Sequence, residues 1–159
     1  MYKRQAKDYT VKREITINKP VGEVFDFAKN LKNMDKYSSW AEMDPSMKKE
    51  FKGVDGNVGS IMSWESKNKD VGVGEQEITK IVPNQRIDFD LRFFEPFEAS
   101  DNGYYETQSL GTNETKITWG YSGHMAYPTN IFMLFMNFEE MIGNEFDKSL
   151  NKMKKYMEE

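Results

Sequence analysis

The sequence predicts an α+β domain: a seven-stranded curved antiparallel sheet around one long C-terminal helix, with two short helices between strands 1 and 2. Three observations predict it. Seven stretches of the chain read as short strands separated by turn residues. The last thirty residues instead carry one apolar stripe at helical spacing. A sheet of this size has a face to cover, and only that final helix is long enough to cover it.

Residues Tyr9–Ile17 alternate and are rich in β-branched side chains, so they open the sheet. The period then changes after Asn18-Lys19-Pro20. Val21, Val24, Phe25, Ala28 and Leu31 fall at helical spacing, with Pro20 suited to a first helical turn and Glu23 near the positive end. A second short helix is expected over Leu31–Tyr37, and Asp44-Pro45 closes this region.

The next strands are Met47–Lys52, Ser60–Glu65, Val73–Ile81 and Arg86–Phe94, then Tyr104–Ser109 and Thr115–Met125. Gly53–Gly56, Pro83-Asn84 and Gly111–Asn113 supply turns, and Glu95-Pro96 interrupts the sheet. After Pro128, Thr129 or Asn130 is placed to cap a helix that runs to about Met157. Its stripe passes through Phe138, Met141, Ile142, Phe146, Leu150 and Met153. Residues 1–8 read as a tail and 9–159 as one domain, without repeat or linker.

At 159 residues the chain is tight for two domains, and 38% hydrophobic residues are enough for a packed core. A net charge of −4 argues against a nucleic-acid partner. No cysteine is present, which removes disulfides, thiolate catalysis and cysteine zinc sites. The only histidine, His124, has no second member for a metal or nucleophilic set. No metal and no cofactor are therefore expected. The longest apolar run, Ile131–Met136, is too short to span a bilayer, so a soluble cytoplasmic protein is expected. Phe132, Met133 and Met136 lie off the helix stripe. They point to a lid, a membrane-surface contact, or a homodimer through Met133 and Met136.

Six segments in order resemble one known family. They are REITINKPVGEVFDF (Arg13–Phe27), KYSSWAEMDP (Lys36–Pro45), GVDGNVGSIMSWES (Gly53–Ser66), GVGEQEITKIVPNQRIDFDLRFFEPFEA (Gly72–Ala99), TKITWGYSG (Thr115–Gly123) and FMNFEEMIGNEFDKSL (Phe135–Leu150). Together they are similar to the START-like, or SRPBCC, superfamily, in particular its bacterial polyketide cyclase/dehydrase-type branch. The resemblance covers the chain from about Asp8. It implies a helix-grip fold with a pocket between sheet and helix. It leaves several activities open, among them lipid transfer, ring closure and chaperone activation. Similar bacterial proteins often carry an N-terminal membrane anchor, so membrane tethering is the alternative location.

Strand alternation sorts the side chains that would line such a pocket. Phe89, Leu91 and Phe93 share a face with Ile87, while Asp88, Asp90 and Arg92 point the other way. Trp119 and Tyr121 share a face with Ile117. Trp64 and Tyr105 join them, with Met62, Gln76 and Ile78 also turned inward. From the helix come Phe138, Met141, Ile142 and Glu145. Composition alone makes all of these core; the resemblance makes them a lining. Glu145 is the candidate acid or base, because a carboxylate inside an apolar stripe needs a partner or solvent. Gly143 beside it leaves room for close packing or for a ligand. The expected function is binding of a small apolar molecule or lipid, such as a polyketide-like or aromatic metabolite. A cyclase or dehydratase acting by enforced substrate folding is the alternative, and a protein-interaction module a second one.

Overall fold

The computed structural model describes residues 7–68, 71–95, 98–125 and 138–159, with only the backbone of Lys7, Asp8, His124, Met125 and Phe138. The chain opens with β1 (Lys7–Ile17) and α1 (Val21–Lys29). A single 3-10 turn (Leu31–Asn33) leads into α2 (Met34–Tyr37) and α3 (Ser39–Met43). The remaining strands are β2 (Lys48–Lys52), β3 (Ile61–Glu65), β4 (Val73–Val82), β5 (Arg86–Glu95), β6 (Ala99–Gly111) and β7 (Glu114–Met125). The final helix, α4, is described over Phe138–Glu158. The predicted start near Asn130, with its cap, lies outside the described residues. So do Met133 and Met136 and the contacts expected of them.

The strands form one antiparallel sheet in the order β1-β7-β6-β5-β4-β3-β2. Two details differ from the sequence reading. The region after α1 is broken into a 3-10 turn and two short helices rather than one helix. Asp55, from the loop after β2, accepts the Leu31 N–H at 2.7 Å and the Lys32 N–H at 3.2 Å, so a remote carboxylate starts the 3-10 turn. The second difference is β6, which begins at Ala99 and not at Tyr104. Ala-Ser-Asp-Asn-Gly has the composition of a turn, yet pairing with β5 from Phe93↔Ala99 onward draws it into the sheet.

Alternation holds along β5, where Ile87 and Phe89 are buried. The convex face carries the acids. Arg92 bonds Glu75 and Glu77, both at 2.8 Å, and Arg86 bonds Asp88 at 2.9 Å. Glu75, Glu77 and Asp88 are thus ion-pair partners on the outer face. On the concave face α4 buries Phe146, Ser149, Leu150 and Met153. Ile17, Ile78, Ile87 and Ile117 meet them from the sheet, with Val24 and Ala28 of α1 alongside. Gly143 is explained by Arg13. A Cβ at Gly143 would lie 2.3 Å from an Arg13 guanidinium nitrogen, and Arg13 goes on to pair with Asp147 at 3.2 Å.

Candidate functional site

The sheet register stacks the concave face in rows. One row runs Ile87–Tyr105–Trp119–Arg13. It is closed. Trp119 lies flat on Phe146 with centroids 4.0 Å apart, and Trp40 of α3 meets both rings edge-on at 6.3 and 5.9 Å. The Tyr37 and Tyr105 hydroxyls share a hydrogen bond of 2.8 Å. Burial pushes both phenols well above their ordinary range. Phe89, one row further, meets Tyr105 at right angles with centroids 5.3 Å apart.

The next row is different in chemistry. Leu91 stands opposite Asp101 on one side and Gln76 on the other, and Gln76 stands opposite Met62. Beyond it, Phe93, Gly74 and Trp64 form an outer row. Trp64 lies against Gly74, where a Cβ would come within 2.7 Å of the indole. Its Nε1–H donates to the Val71 carbonyl at 3.2 Å, and its ring meets Phe93 with centroids 5.9 Å apart. Leu91, Phe93 and Trp64 face inward yet are only half-buried. This end of the concave face is therefore not closed by the described residues.

Gln76 sits in that opening. It is 5% exposed, and its amide has no hydrogen-bond partner among the described residues. No fully enclosed polar side-chain atom among them lacks a partner. The Gln76 amide must then border accessible space, where it can be hydrated or engaged by a guest.

At the other end of the same row is a buried hydrogen-bonded group. The Tyr121 hydroxyl donates to the Asp101 carboxylate. Tyr9 stacks on Tyr121 with centroids 5.9 Å apart. The Tyr9 ring occupies the space a side chain at Gly123 would take. Burial first, and the Asp101 charge second, push the Tyr9 phenol up to about 12, with the Tyr121 hydrogen bond pulling the other way. Burial, then Tyr9 and Asp101, push Tyr121 up as well.

The helix residues of the expected lining fall in three places. Ile142 is half-buried and packs on the core. Met141 is 48% exposed, because one residue's turn of the helix carries it off the stripe. The Phe138 side chain lies outside the described residues, as does that of His124. The Glu145 side chain is 18% exposed. Its carboxylate accepts the Ser39 hydroxyl and pairs with Lys148 at 3.2 Å, while the Ser39 N–H donates to Ser149 Oγ at 2.9 Å. Glu145 thus fastens α3 to α4. Asp101, Tyr9 and Trp40 were not among the expected lining residues. The alternation of Tyr105 would reach Asp101 through Gly103, but Ala-Ser-Asp-Asn-Gly has the composition of a turn and hides the strand there.

A shallow polar cleft of about 260 Å³ lies over β5 and β6, lined by residues 90–92 and 100–102. Among the described residues no cluster of three acids or histidines could hold a metal, and no helix is long and apolar enough to cross a membrane.

The family model for polyketide cyclase / dehydrase and lipid transport proteins matches residues 8–158. No curated protein matches the chain. Among solved structures, a truncated norcoclaurine synthase from Thalictrum flavum superposes with a TM-score of 0.72 at 10% identity, over 99% of this chain and 98% of that one. A protein from Chromobacterium violaceum gives 0.68 at 14% identity, over 94% and 97%. A protein in the dynemicin biosynthetic locus gives 0.62 at 11% identity, over 94% of this chain and 47% of that one. At these identities the likeness is one of fold.

Proposed function

The chain belongs to the polyketide cyclase / dehydrase and lipid transport family, and from that premise we propose that it holds a small apolar or amphipathic molecule in the open end of its concave face. One observation carries the reading: an amide without a described partner, Gln76, set among half-buried Leu91, Phe93 and Trp64 and buried Met62. Apolar walls with few polar anchors are the usual makeup of a small-molecule site. The walls supply affinity by losing contact with water, and the anchor fixes orientation. The closed Trp119–Phe146 stack forms the floor.

The test uses N-phenyl-1-naphthylamine, a neutral probe whose fluorescence rises in apolar surroundings. Saturable one-to-one binding is expected, weakened at least tenfold by Leu91→Trp, which fills the opening. Failure to saturate, or equal binding by that variant, would overturn the reading.

A second reading, ring closure or dehydration of a bound substrate, is favoured by the Tyr9–Tyr121–Asp101 group, whose Asp101 lies in the row of Gln76. A pocket that folds a flexible chain lowers the barrier by proximity, and a hydroxyl–carboxylate pair can move a proton. Glu145 is not placed for this purpose, since Ser39 and Lys148 already engage it. Under this reading Asp101→Asn keeps probe binding and loses turnover of a poly-β-carbonyl substrate. Undiminished turnover would remove Asp101 from the chemistry.

A further inference from the structure

The open end of the concave face carries a lysine at its edge. Lys49 of β2 stands opposite Trp64, so it ends the row Phe93–Gly74–Trp64, one strand spacing of about 5 Å beyond Trp64. Parity turns it to the same face as Phe51, which stands opposite Met62. Within β2 only Lys49 is half-buried; Lys48, Glu50, Phe51 and Lys52 are exposed. Its ammonium pairs with Asp35 of α2. The Lys49 side chain is 18% exposed, against 33% or more for every other lysine with a described ion pair. Burial lowers the Lys49 ammonium below its ordinary range. Asp35 is more than half exposed and screened by water, so the pairing does not cancel that effect. A lysine amine that has lost its proton attacks carbonyl carbon, and desolvation is one of the ways a protein activates it.

Resting on the pocket reading above, we infer that Lys49 holds an aldehyde or ketone guest as an imine at the edge of the opening. Trp64, Phe93 and Leu91 take the apolar body of that guest. The neutral amine attacks the carbonyl carbon, and the carbonyl π pair moves to oxygen as the C–N bond forms. Both nitrogen protons pass through Asp35 to that oxygen, which leaves as water with the C–O electron pair. The nitrogen lone pair then closes the C=N bond. Amine and carbonyl thus give imine and water, with no oxidant or reductant.

The test treats the protein with 2-naphthaldehyde and sodium cyanoborohydride at pH 7. The borohydride reduces any imine to a stable secondary amine, which peptide mapping by mass spectrometry locates. One dominant adduct is expected, on Lys49, formed about tenfold faster than on Lys48, its exposed neighbour. Excess N-phenyl-1-naphthylamine should suppress the Lys49 adduct and leave the Lys48 background unchanged. Lys49→Arg should remove the dominant adduct. If Lys48 reacts as fast as Lys49, the inference is wrong and the pocket stands. The same holds if the Lys49 adduct persists under saturating N-phenyl-1-naphthylamine, or if Lys49→Arg reacts as the wild type does. If N-phenyl-1-naphthylamine itself fails to saturate, the pocket reading is lost and the inference with it. Mapping the wild type needs no variant, so a misfolded Lys49→Arg does not blunt the test.

Discussion

Trp119 of β7 and Phe146 of α4 stack face to face, 4.0 Å between centroids and 8° between planes. This pair joins the helix to β7, the strand next to the β1 edge. Phe146 is 2% exposed and also meets Trp40 and Tyr121. Phe146→Ala should therefore lose apolar burial and leave a void that three rings cannot all close. The expected loss is about 3–5 kcal/mol in urea unfolding. A loss under about 1 kcal/mol would mean that the helix is held mainly by other contacts.

The Tyr37–Tyr105 hydroxyl pair is sealed, and each oxygen has the other as its partner. Removing one hydroxyl strands the other without water. Tyr105→Phe or Tyr37→Phe alone should each cost about 1–3 kcal/mol. The double variant should be nearly as stable as the wild type, because no polar atom is then left unmatched. Additive losses in a double-mutant cycle would contradict this.

Much of the sheet was legible because its signals are local. Ile87 and Phe89, or Ile117 and Trp119, are two residues apart and their parity needs no knowledge of the fold. Asp101 was hidden because its strand character comes from pairing with β5, not from Ala-Ser-Asp-Asn-Gly. Glu145 drew notice for its place in the stripe. Its partner Ser39 is 106 positions away, and no spacing rule connects them. Gly143 likewise made sense only when Arg13 of β1 was found across it. Gln76 was read as inward-facing. Its lack of a described partner became visible only with every neighbour in place.

Alkaline titration should separate two classes of tyrosine. A phenol is neutral when protonated, so a folded pKa above the unfolded value stabilises the native state while the proton stays on. For Tyr9 that contribution is complete below pH 10 and is lost as pH rises through about 12. Tyr37, Tyr105 and Tyr121 are shifted in the same direction. Phenolate absorbance of the folded protein near pH 11 should thus count fewer ionised groups than the eight tyrosines of the chain. Unfolding in urea should release the remainder at once, and stability should fall above about pH 10. Full ionisation of a still-folded protein near pH 11 would show these side chains to be hydrated.

Gly143 and Arg13 give a prediction whose sign depends on the partner. Glycine within a helix costs about 1 kcal/mol relative to alanine, so Gly143→Ala should stabilise α4 if nothing lay against it. The Arg13 guanidinium does lie there, with nitrogen 2.3 Å and carbon 2.5 Å from the new Cβ. It must move, and its 3.2 Å pairing with Asp147 moves with it. That pair is half exposed, so its loss costs about 0–1 kcal/mol, similar in size to the helix gain. In the wild-type background Gly143→Ala should consequently be close to neutral. In an Arg13→Ala background the obstruction is gone, and the same substitution should stabilise by about 1 kcal/mol. Denaturation of the four proteins of this cycle measures the difference. Equal effects of Gly143→Ala in both backgrounds would show that the glycine is there for some reason other than the arginine lying over it.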